Sequence, residues 1–398
     1  MADLEVKVEC NYDVLDELRQ AWDEAVIELG GSIYMSYDWS RTWWEFYGTG
    51  KELRIFLFRK EHRFVGIVPI YIDRVGFGPV RCSIARMVGS NIPPKVFDPP
   101  IQKDFAEFIL REILKQLFEK DACDVLSLGP MSELHEAAGK MKDAALKSSL
   151  VKECRVVQGV HSVFWLPHSM EEYYQALSKN ERKNRRKYEL RTLKKEFDTR
   201  VEVLCTPEQV EQEFEDFVRQ HTLHWNEQGM PGHFLAWPKA TEYNRALVKA
   251  QAKLGRTRFV RILANNHVIS NQYAFAFGNS YVWELPAQAG GKQWERFSLG
   301  PTGIVTMIDA AIREGKSRLE GGLAHYDYKL RLSAKEHETM TIRMIRNRLS
   351  SRIRFKFFNL FRFCLDVGYH KIWYRRIRPR IPALRRKPQW RLWLRLDF

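Results

Sequence analysis

The stretch that decides the fold is residues 267–332, which read HVISNQYAFAFGNSYVWELPAQAGGKQWERFSLGPTGIVTMIDAAIREGKSRLEGGLAHYDYKLRL. Apolar and β-branched residues at 268–277 and 281–287 predict two strands. A glycine-bearing turn at 298–303 precedes a helix that ends near Arg313, and a further strand ends near Glu320. This order of elements predicts an α/β fold built on a mixed α+β sheet.

An earlier part of the chain follows the same pattern. Strands are predicted at 54–58 and 64–71 around a turn with His62, and at 258–263 and 268–277 around a turn with His267. A glycine turn, more strand and a helix follow each pair. We interpret this as a tandem repeat of one α/β module, although hairpins are common enough to coincide. The expected domains are 1–155, 156–335 and a tail, 336–398.

Composition restricts the class of protein. An apolar content of 45% in 398 residues supports folded cores and excludes a disordered chain. The six cysteines are scattered without metal-ligand or redox spacing, so no metal is predicted. Residues 1–9 lack a signal-peptide pattern, and no apolar run reaches about 18 residues. We therefore expect a cytoplasmic protein.

The tail concentrates the basic charge. The chain has 64 Lys and Arg against 49 Asp and Glu, a net charge of +15. Residues 341–398 contain 17 basic and 2 acidic residues, so the tail alone carries +15. A four-residue repeat of bulky apolar residues between arginines predicts a basic amphipathic helix, through Ile345, Leu349, Ile353, Phe357 and Phe361. This favours peripheral attachment to the anionic inner face of a membrane. RNA binding and packing on the protein's own core are the alternatives.

Four motifs occur in an order typical of a known family: SKNERKNRRK at 178–187, HTLHW at 221–225, SLGPTG at 298–303 and EGGLAHYDYK at 320–329. Together they resemble the CelD-like branch of the GNAT acyltransferase superfamily, which is related to FemAB-type peptidoglycan aminoacyltransferases. The resemblance is clearest over 160–332, and 10–130 resemble a weaker N-terminal GNAT-like half. It implies tandem GNAT-like modules in which an acyl thioester lies between two diverging strands and an amine attacks it directly.

The resemblance places the donor at the start of the helix after the glycine turn. The expected contacts are backbone groups at Ser298, Gly300, Thr302 and Gly303, because a helix N-terminus attracts phosphate. The usual signature is degraded here at Phe297 and Thr302, which leaves acyl-CoA and aminoacyl-tRNA open as donors. An ordinary glycine turn is the alternative.

Four side chains are candidates for the chemistry. Glu284, between two apolar residues on a strand, is the expected base, and a solvent-facing glutamate is the alternative. His221 could act as a base or bind the acceptor, although buried core histidines are commoner. Glu320 at a strand end would orient the acceptor, and Tyr328 would protonate the leaving thiolate. A hydrogen-bonded loop is the alternative for both.

The basic segment 179–195 holds nine Lys and Arg against two Glu. Lys183 and Arg186 are its expected contacts to the 3′-phosphate of a cofactor, to tRNA or to anionic lipid, and a solvated helix is the alternative. The sequence as a whole predicts an N-acyltransferase that uses acyl-CoA as co-substrate and a lipid or cell-envelope amine as acceptor. Bacterial ceramide synthases, which acylate sphingoid bases, are the most specific comparison in lipid metabolism. A FemAB-like aminoacyl-tRNA-dependent transferase and a non-catalytic RNA- or membrane-binding GNAT module are the alternatives.

Overall fold

The computed structural model describes residues 4–90, 95–188, 190–384 and 387, of which 185–188 and 190 are described by backbone alone. The chain forms two compact units. The first comprises the residues up to Val160 together with His337–Ile377, and the second comprises His161–Glu336 and, of the described residues that follow, 378–384 and 387. The domain boundaries expected after residues 155 and 335 stay predictions.

The strands are numbered along the chain. They are β1 Leu4–Glu9, β2 Glu52–Lys60, β3 Arg63–Val75, β4 Cys82–Met87, β5 Val125–Ser132, β6 Val151–Trp165, β7 Thr199–Leu204, β8 Thr257–Ala264, β9 His267–Phe277, β10 Ser280–Gln288, β11 Arg318–Leu323 and β12 Lys335–Arg346.

The α-helices are numbered in the same way. They are α1 Arg19–Glu28, α2 Tyr37–Tyr47, α3 Ala106–Leu114, α4 Glu136–Lys147, α5 Met170–Ala176, α6 Lys179–Tyr188, α7 Leu190–Glu196, α8 Pro207–Glu227, α9 Ala240–Lys253, α10 Lys292–Glu295, α11 Leu299–Arg313, α12 Asp327–Arg331 and α13 Leu349–Leu365. Short 3₁₀ segments and two π-helical segments, Lys115–Lys120 and Asp366–Ile377, complete the helical structure of the described residues.

The second unit contains the mixed sheet that the sequence predicts. Its strands follow the order β6-β11-β10-β9-β8-β7. Neighbours from β7 to β10 are antiparallel, β10 and β11 are parallel, and β11 and β6 are antiparallel. Asn265 and Asn266 adopt left-handed conformations, with φ of 49° and 65°, in the tight turn between β8 and β9. The predicted fold class is confirmed.

The first unit repeats this arrangement. Its strands follow the order β1-β2-β3-β4-β5-β12. Strands β2, β3 and β4 are antiparallel neighbours, and β4 is parallel to β5, with α3 in the connection. The second unit has the same succession in β8, β9, β10, α11 and β11. The tandem repetition predicted from the two hairpin patterns is therefore confirmed.

Helix α11 packs directly on the sheet of the second unit. Its apolar residues share one core with Tyr281 and Trp283 of β10. Gly303 allows the closest approach, because a β-carbon at this position would overlap Gln272 Nε2 and Ser270 Oγ on β9. The helix begins at Leu299, four residues before the predicted start, and ends at Arg313 as predicted. Helix α11 connects β10 to β11, so its packing on the sheet helps to position these two strands, which form the candidate site.

The predicted amphipathic helix of the tail begins later than its apolar repeat suggested. Ile345 lies in β12, and α13 spans Leu349–Leu365. Ile345 is instead buried beneath α13, in a cluster with Phe355 and Phe358. No helix of the described residues combines the length and apolar character needed to cross a membrane. Trp390 and Trp393, near the end of the tail, lie outside the described residues.

Replacing Gly303 by alanine should destabilise the second unit. The added methyl group must displace the buried, hydrogen-bonded pair Gln272 and Ser270, which lie 3.2 Å apart. We expect a loss of about 1–3 kcal/mol in the free energy of unfolding, measured in urea. Gly300→Ala is the matched control, because its nearest neighbour would be Gln288 Oε1 at 3.5 Å. Equal effects of the two substitutions would contradict the close packing at Gly303.

Candidate active site

Strands β10 and β11 separate within the second unit. They pair only through Ser280–Arg318, Tyr281–Leu319 and Val282–Glu320. Beyond these pairs β10 continues to Gln288 and β11 to Leu323, without further pairing between the two strands among the described residues. We call this opening, beyond Val282 and Glu320, the splay. Backbone N–H and C=O groups that leave a ladder need other partners, and a ligand can supply them.

Glu284 lies at the start of the splay, in a β-bulge. Trp283 pairs with Ala274 and Leu285 with Tyr273, so Glu284 is the extra residue of β10. A bulge re-aims side chains and interrupts the ladder locally. Burial, and secondarily the Glu284 carboxylate, raise the pKa of Tyr273. The half-buried carboxylate therefore lies near Tyr273, on the sheet face opposite to the core of α11.

Glu320 is the last residue of β11 that pairs with β10. Its Oε1 forms an ion pair with Arg318, 3.1 Å from Nε, and its Oε2 lies 3.7 Å from His161 Nδ1. His161 is on β6 and is almost completely buried. Arg318 Nε also donates to Ser280 Oγ at 2.7 Å. Glu320 thus lies at the narrow end of the splay between the Arg318 guanidinium and the His161 imidazole.

Lys329 places a buried positive charge at the same opening. Only 3% of this residue is exposed, and its Nζ donates to Gly321 O at 2.7 Å. The ammonium also lies 5.9 Å from the ring centre of Trp283 and 4.5 Å from that of Tyr326. Burying a charge is costly unless such partners compensate it. The residues of β10 and β11 just beyond their last pair therefore surround a fixed cation.

Tyr328 precedes Lys329 on α12 and is partly buried against the core of the second unit. Burial, with a smaller contribution from Tyr326, raises the pKa of Tyr328 to about 12. The two rings have their centres 5.6 Å apart. A phenol with this pKa stays protonated at neutral pH, so its hydroxyl is a hydrogen-bond donor.

The start of α11 is built by Ser298 and Thr302. Ser298 is exposed and left-handed, with φ of 48°. The Thr302 N–H donates to Ser298 O at 3.1 Å, and the Thr302 hydroxyl donates to Phe297 O at 3.1 Å. Both donors of Thr302 are therefore used inside the helix start, and Gly303 is used for packing on β9.

Two backbone donors remain at this helix start. The first three residues of an α-helix have no intrahelical acceptor for their N–H groups. Here they are Leu299, Gly300 and Pro301, and proline carries no N–H. The N–H groups of Leu299 and Gly300 are thus the ones that can bind an anion, with the positive end of the helix dipole behind them.

The basic segment is helical over α6 and α7, which lie on either side of residue 189. Lys183 is exposed on α6. The side chain of Arg186 lies outside the described residues. Arg182 has a structural role at the end of α5. Its Nη2 donates to Gln175 O at 2.7 Å and to Leu177 O at 3.2 Å, which caps that helix.

His221 of α8 connects this helix to β10 beyond the bulge. Its Nδ1 donates to Pro286 O at 2.8 Å, and its Nε2 lies 3.0 Å from His233 Nδ1. Burial and the nearby His233 lower the pKa of His221 to about 3, and the bond to Pro286 opposes this only partly. His221 is therefore neutral, with both ring nitrogens occupied. Among the described residues no group of three or more His, Cys, Asp and Glu side chains is arranged to hold a metal ion.

Comparisons with known proteins agree with this geometry. Residues 179–330 match the family model described as an Acetyltransferase (GNAT) domain. The solved structure of FemX superposes with a TM-score of 0.61 at 11% identity, over 86% of this chain and 98% of that chain. A conserved protein of unknown function from Bacteroides thetaiotaomicron VPI-5482 gives a TM-score of 0.50 at 10% identity, over 86% of this chain and all of that one. At these identities the two structures support the fold alone.

Residues 179–330 are thus similar to a GNAT acetyltransferase domain. The expected resemblance to the GNAT superfamily is confirmed. A curated relative, the mouse Cardiac-enriched FHL2-interacting protein, is 32% identical over 99 residues, which is 23% of this chain. The chain spans only 6% of the length of that relative, so the match gives no information on activity.

Two of the four predicted catalytic residues, Glu284 and Glu320, lie at the splay, and Tyr328 precedes Lys329, which donates to Gly321 O. Glu284, Glu320 and Tyr328 come from β10, β11 and α12. His221 reaches β10 only through Pro286. All of these roles, and those of the four residues at the start of α11, stay predictions. Lys329 was seen in the sequence only as the end of a motif. The apolar and aromatic neighbours Tyr328, Leu330 and Leu332 are the one signal in the sequence that could have indicated its burial.

His221 should make stability depend on pH. Its folded pKa of about 3 lies below the unfolded value near 6.5, so the unfolded state takes up the proton first as the pH falls. The contribution of neutral His221 is complete above pH 6.5 and is lost progressively towards pH 3. We expect His221→Asn, which keeps a donor near Pro286 O, to flatten this decline by up to about 1.4 kcal/mol per pH unit.

The measurement is urea unfolding between pH 5 and 8. His135, buried in the first unit with a pKa lowered to about 4, adds the same slope to wild type and variant, so their difference isolates His221. His267→Asn, at an exposed position on β9, is the matched control and should leave the slope unchanged. Parallel curves for wild type and His221→Asn would contradict a buried neutral histidine.

Proposed function

We propose that this chain is an N-acyltransferase that moves an acyl group from a thioester, acyl-CoA, to an amine. The observation that carries the proposal is the splay, where β10 and β11 part beyond Val282 and Glu320 around the buried ammonium of Lys329. A thioester laid in this opening can use the unpaired backbone of β10 as its partner. The family match of residues 179–330 supports acyl transfer as the reaction class.

The carboxylates and the cation approach the splay from different sides. Glu284 lies near Tyr273 on one sheet face, whereas Lys329 lies over Trp283, which packs with α11 on the other. An amine that enters on the carboxylate side can attack the carbonyl carbon and give up its proton to Glu284. Glu320, fixed by Arg318 and His161, can accept a hydrogen bond from the amine and orient it.

Negative charge moves to oxygen and then to sulfur in this reaction. The Lys329 ammonium and the backbone N–H groups at the bulge supply positive charge for the oxyanion of the tetrahedral intermediate. The C–S bond then breaks, and the Tyr328 hydroxyl can give its proton to the thiolate. The proton held by Glu284 balances the one lost by Tyr328, and solvent returns both groups to their starting states.

The geometry of His221 supports positioning rather than proton transfer. Both of its nitrogens are occupied, and its bond to Pro286 O lies two residues beyond Glu284. Fixing Pro286 restrains the bulge and with it the direction of the Glu284 carboxylate. We therefore propose His221 as a positioning residue, which departs from the role of base suggested by the sequence.

The start of α11 is the proposed place for the phosphates of the donor. Leu299 and Gly300 would donate their backbone N–H groups, with exposed Ser298 beside them. Lys183, which is exposed, and Arg186 are the proposed contacts for the remaining anionic part of the donor. The loss of the third N–H at Pro301 favours a second candidate, in which the donor is aminoacyl-tRNA and most of its phosphates bind elsewhere.

The proposed acceptor is a lipid-like or cell-envelope amine that is acylated at the inner face of the membrane. The strong positive charge of residues 341–398 supports this choice, because it attracts the chain to an anionic surface. A long-chain amino alcohol such as a sphingoid base combines a primary amine with an apolar chain, and it is the most specific acceptor that we propose.

A thiol-release assay tests the reaction and the role of Glu284. Purified full-length chain, given acyl-CoA of several chain lengths and a sphingoid base, should release free CoA thiol only when both substrates are present. Glu284→Gln should lower kcat by about 100-fold or more with a smaller effect on KM, because it removes the base and keeps the shape. Lys329→Met and Tyr328→Phe should also lower kcat.

Glu211→Gln is the matched control, since this glutamate forms only an exposed ion pair with Lys249 at 3.2 Å. Full turnover by Glu284→Gln would remove Glu284 as the base. Absence of thiol release with every acyl-CoA, together with transfer from aminoacyl-tRNA, would establish the second candidate. Absence of both activities would overturn the catalytic proposal in favour of a binding module.

A further inference from the structure

Helix α13 is anchored firmly to the first unit by one side. Phe355 and Phe358, both less than 5% exposed, pack in a cluster with Ile84 and Val125. The Ser351 hydroxyl donates to the buried Asp124 carboxylate at 2.6 Å. Because this side is fixed by both packing and hydrogen bonding, the direction of the opposite side is fixed as well.

That opposite side carries large apolar side chains that no described part of the chain covers. At about 100° per residue, the exposed residues of this set fall on one side of α13. They are Leu349 (70% exposed), Ile353 (45%), Phe357 (51%), Leu360 (58%), Phe361 (52%) and Phe363 (61%). Leu360 and Phe363 were not part of the apolar repeat seen in the sequence. A helix of this kind is apolar on both sides and needs a second apolar partner.

A loop next to α13 extends the same surface. Arg354 Nε of α13 donates to Pro79 O at 3.1 Å. Two residues before Pro79, Phe77 is 84% exposed, the largest exposure of any described large apolar residue. Gly76 and Gly78 flank it with φ of 96° and 55°, values that L-residues rarely adopt. The two glycines therefore present Phe77 at the tip of the turn, beside α13.

The charge around this surface selects the partner. From Leu349 to Leu365 the residues include Arg352, Arg354, Lys356 and Arg362 and no acid. Exposed Arg81 follows the Phe77 loop. A second copy of the chain would bring two positive surfaces together, which costs energy, whereas an anionic bilayer offers both an apolar interior and negative headgroups. Long basic side chains can lie along the apolar face and still reach the headgroups.

We infer that the outward side of α13 and the Phe77 loop form one docking surface for an anionic lipid bilayer. The surface comprises Leu349, Ile353, Phe357, Leu360, Phe361, Phe363 and Phe77. Phe77 enters the bilayer beside the helix, and α13 lies in the interface without spanning it. This inference deepens the proposed function, on which it rests for the membrane location of the acceptor.

Vesicle sedimentation tests the docking surface. Full-length chain should bind vesicles of phosphatidylcholine with phosphatidylglycerol more tightly than vesicles of phosphatidylcholine alone, and salt should weaken the binding. Phe77→Ser and Phe357→Ser should each weaken binding to the anionic vesicles by about ten-fold, because each removes an inserted aromatic side chain. Leu146→Ser is the matched control, since Leu146 is 61% exposed on α4, outside this surface, and should bind as wild type does.

Two further readouts separate the outcomes. The serine variants should melt as wild type does and keep its thiol release with acyl-CoA and a water-soluble amine, because the altered side chains are exposed. Tight vesicle binding by both variants would overturn the docking surface while the acyl-transfer proposal stands. A wild-type dimer in light scattering that both variants convert to monomer, without vesicle binding, would establish a second copy as the partner. Absence of vesicle binding by wild-type protein would overturn both the docking surface and the proposed membrane location.

Discussion

The candidate site of this protein depends on one constraint, the short parallel pairing of β10 and β11. Three residue pairs hold the two strands together before they part. The bulge at Glu284 then breaks the ladder of β10 against β9, and the register of β11 against β6 also shifts after Glu320. Both strands thus change course at the same level of the sheet. The opening is therefore produced by two irregularities of backbone pairing rather than by a missing side chain.

Much of the fold could be predicted because its signals are local. The Asn265–Asn266 turn and the alternating strands around it depend on residues that are adjacent in sequence, and so does the end of α11 near Arg313. The edge strands β1 and β7 and the strands β6 and β12 were missed. Their partners lie far away in the sequence, and a strand on a half-exposed edge carries little apolar periodicity of its own. Ile345 was therefore assigned to the wrong element. Its apolar spacing fits a helix, whereas its position in β12 is decided by pairing with Val125.

The site could be predicted only as a set of residue types. Sequence placed Glu284 on the right strand, but the bulge is a property of register between β9 and β10, which no local pattern specifies. For Lys329 a sequence reading expects an exposed side chain, and only the fold brings Gly321 O and the Trp283 ring to its ammonium.

For His221 the sequence indicated the position of the residue but not its contacts. Its helical position was apparent, whereas its two hydrogen bonds and lowered pKa come from Pro286 and His233, which lie 65 and 12 residues away along the chain.

The start of α11 bears on how a donor would be held. Pro301 removes one of the three N–H groups that a helix N-terminus normally offers, so a phosphate placed there as proposed would have fewer donors than at a complete helix start. If the donor is an acyl-CoA, part of its affinity must come from elsewhere, and each methylene of a buried acyl chain contributes about 0.8 kcal/mol. A long-chain donor compensates for the lost N–H within two methylene groups, whereas acetyl-CoA cannot. The same reasoning applies to the proposed acceptor, whose apolar chain would already be concentrated in a bilayer bound by the proposed docking surface of α13. A weak phosphate site is thus consistent with a preference for substrates that are themselves lipid-like.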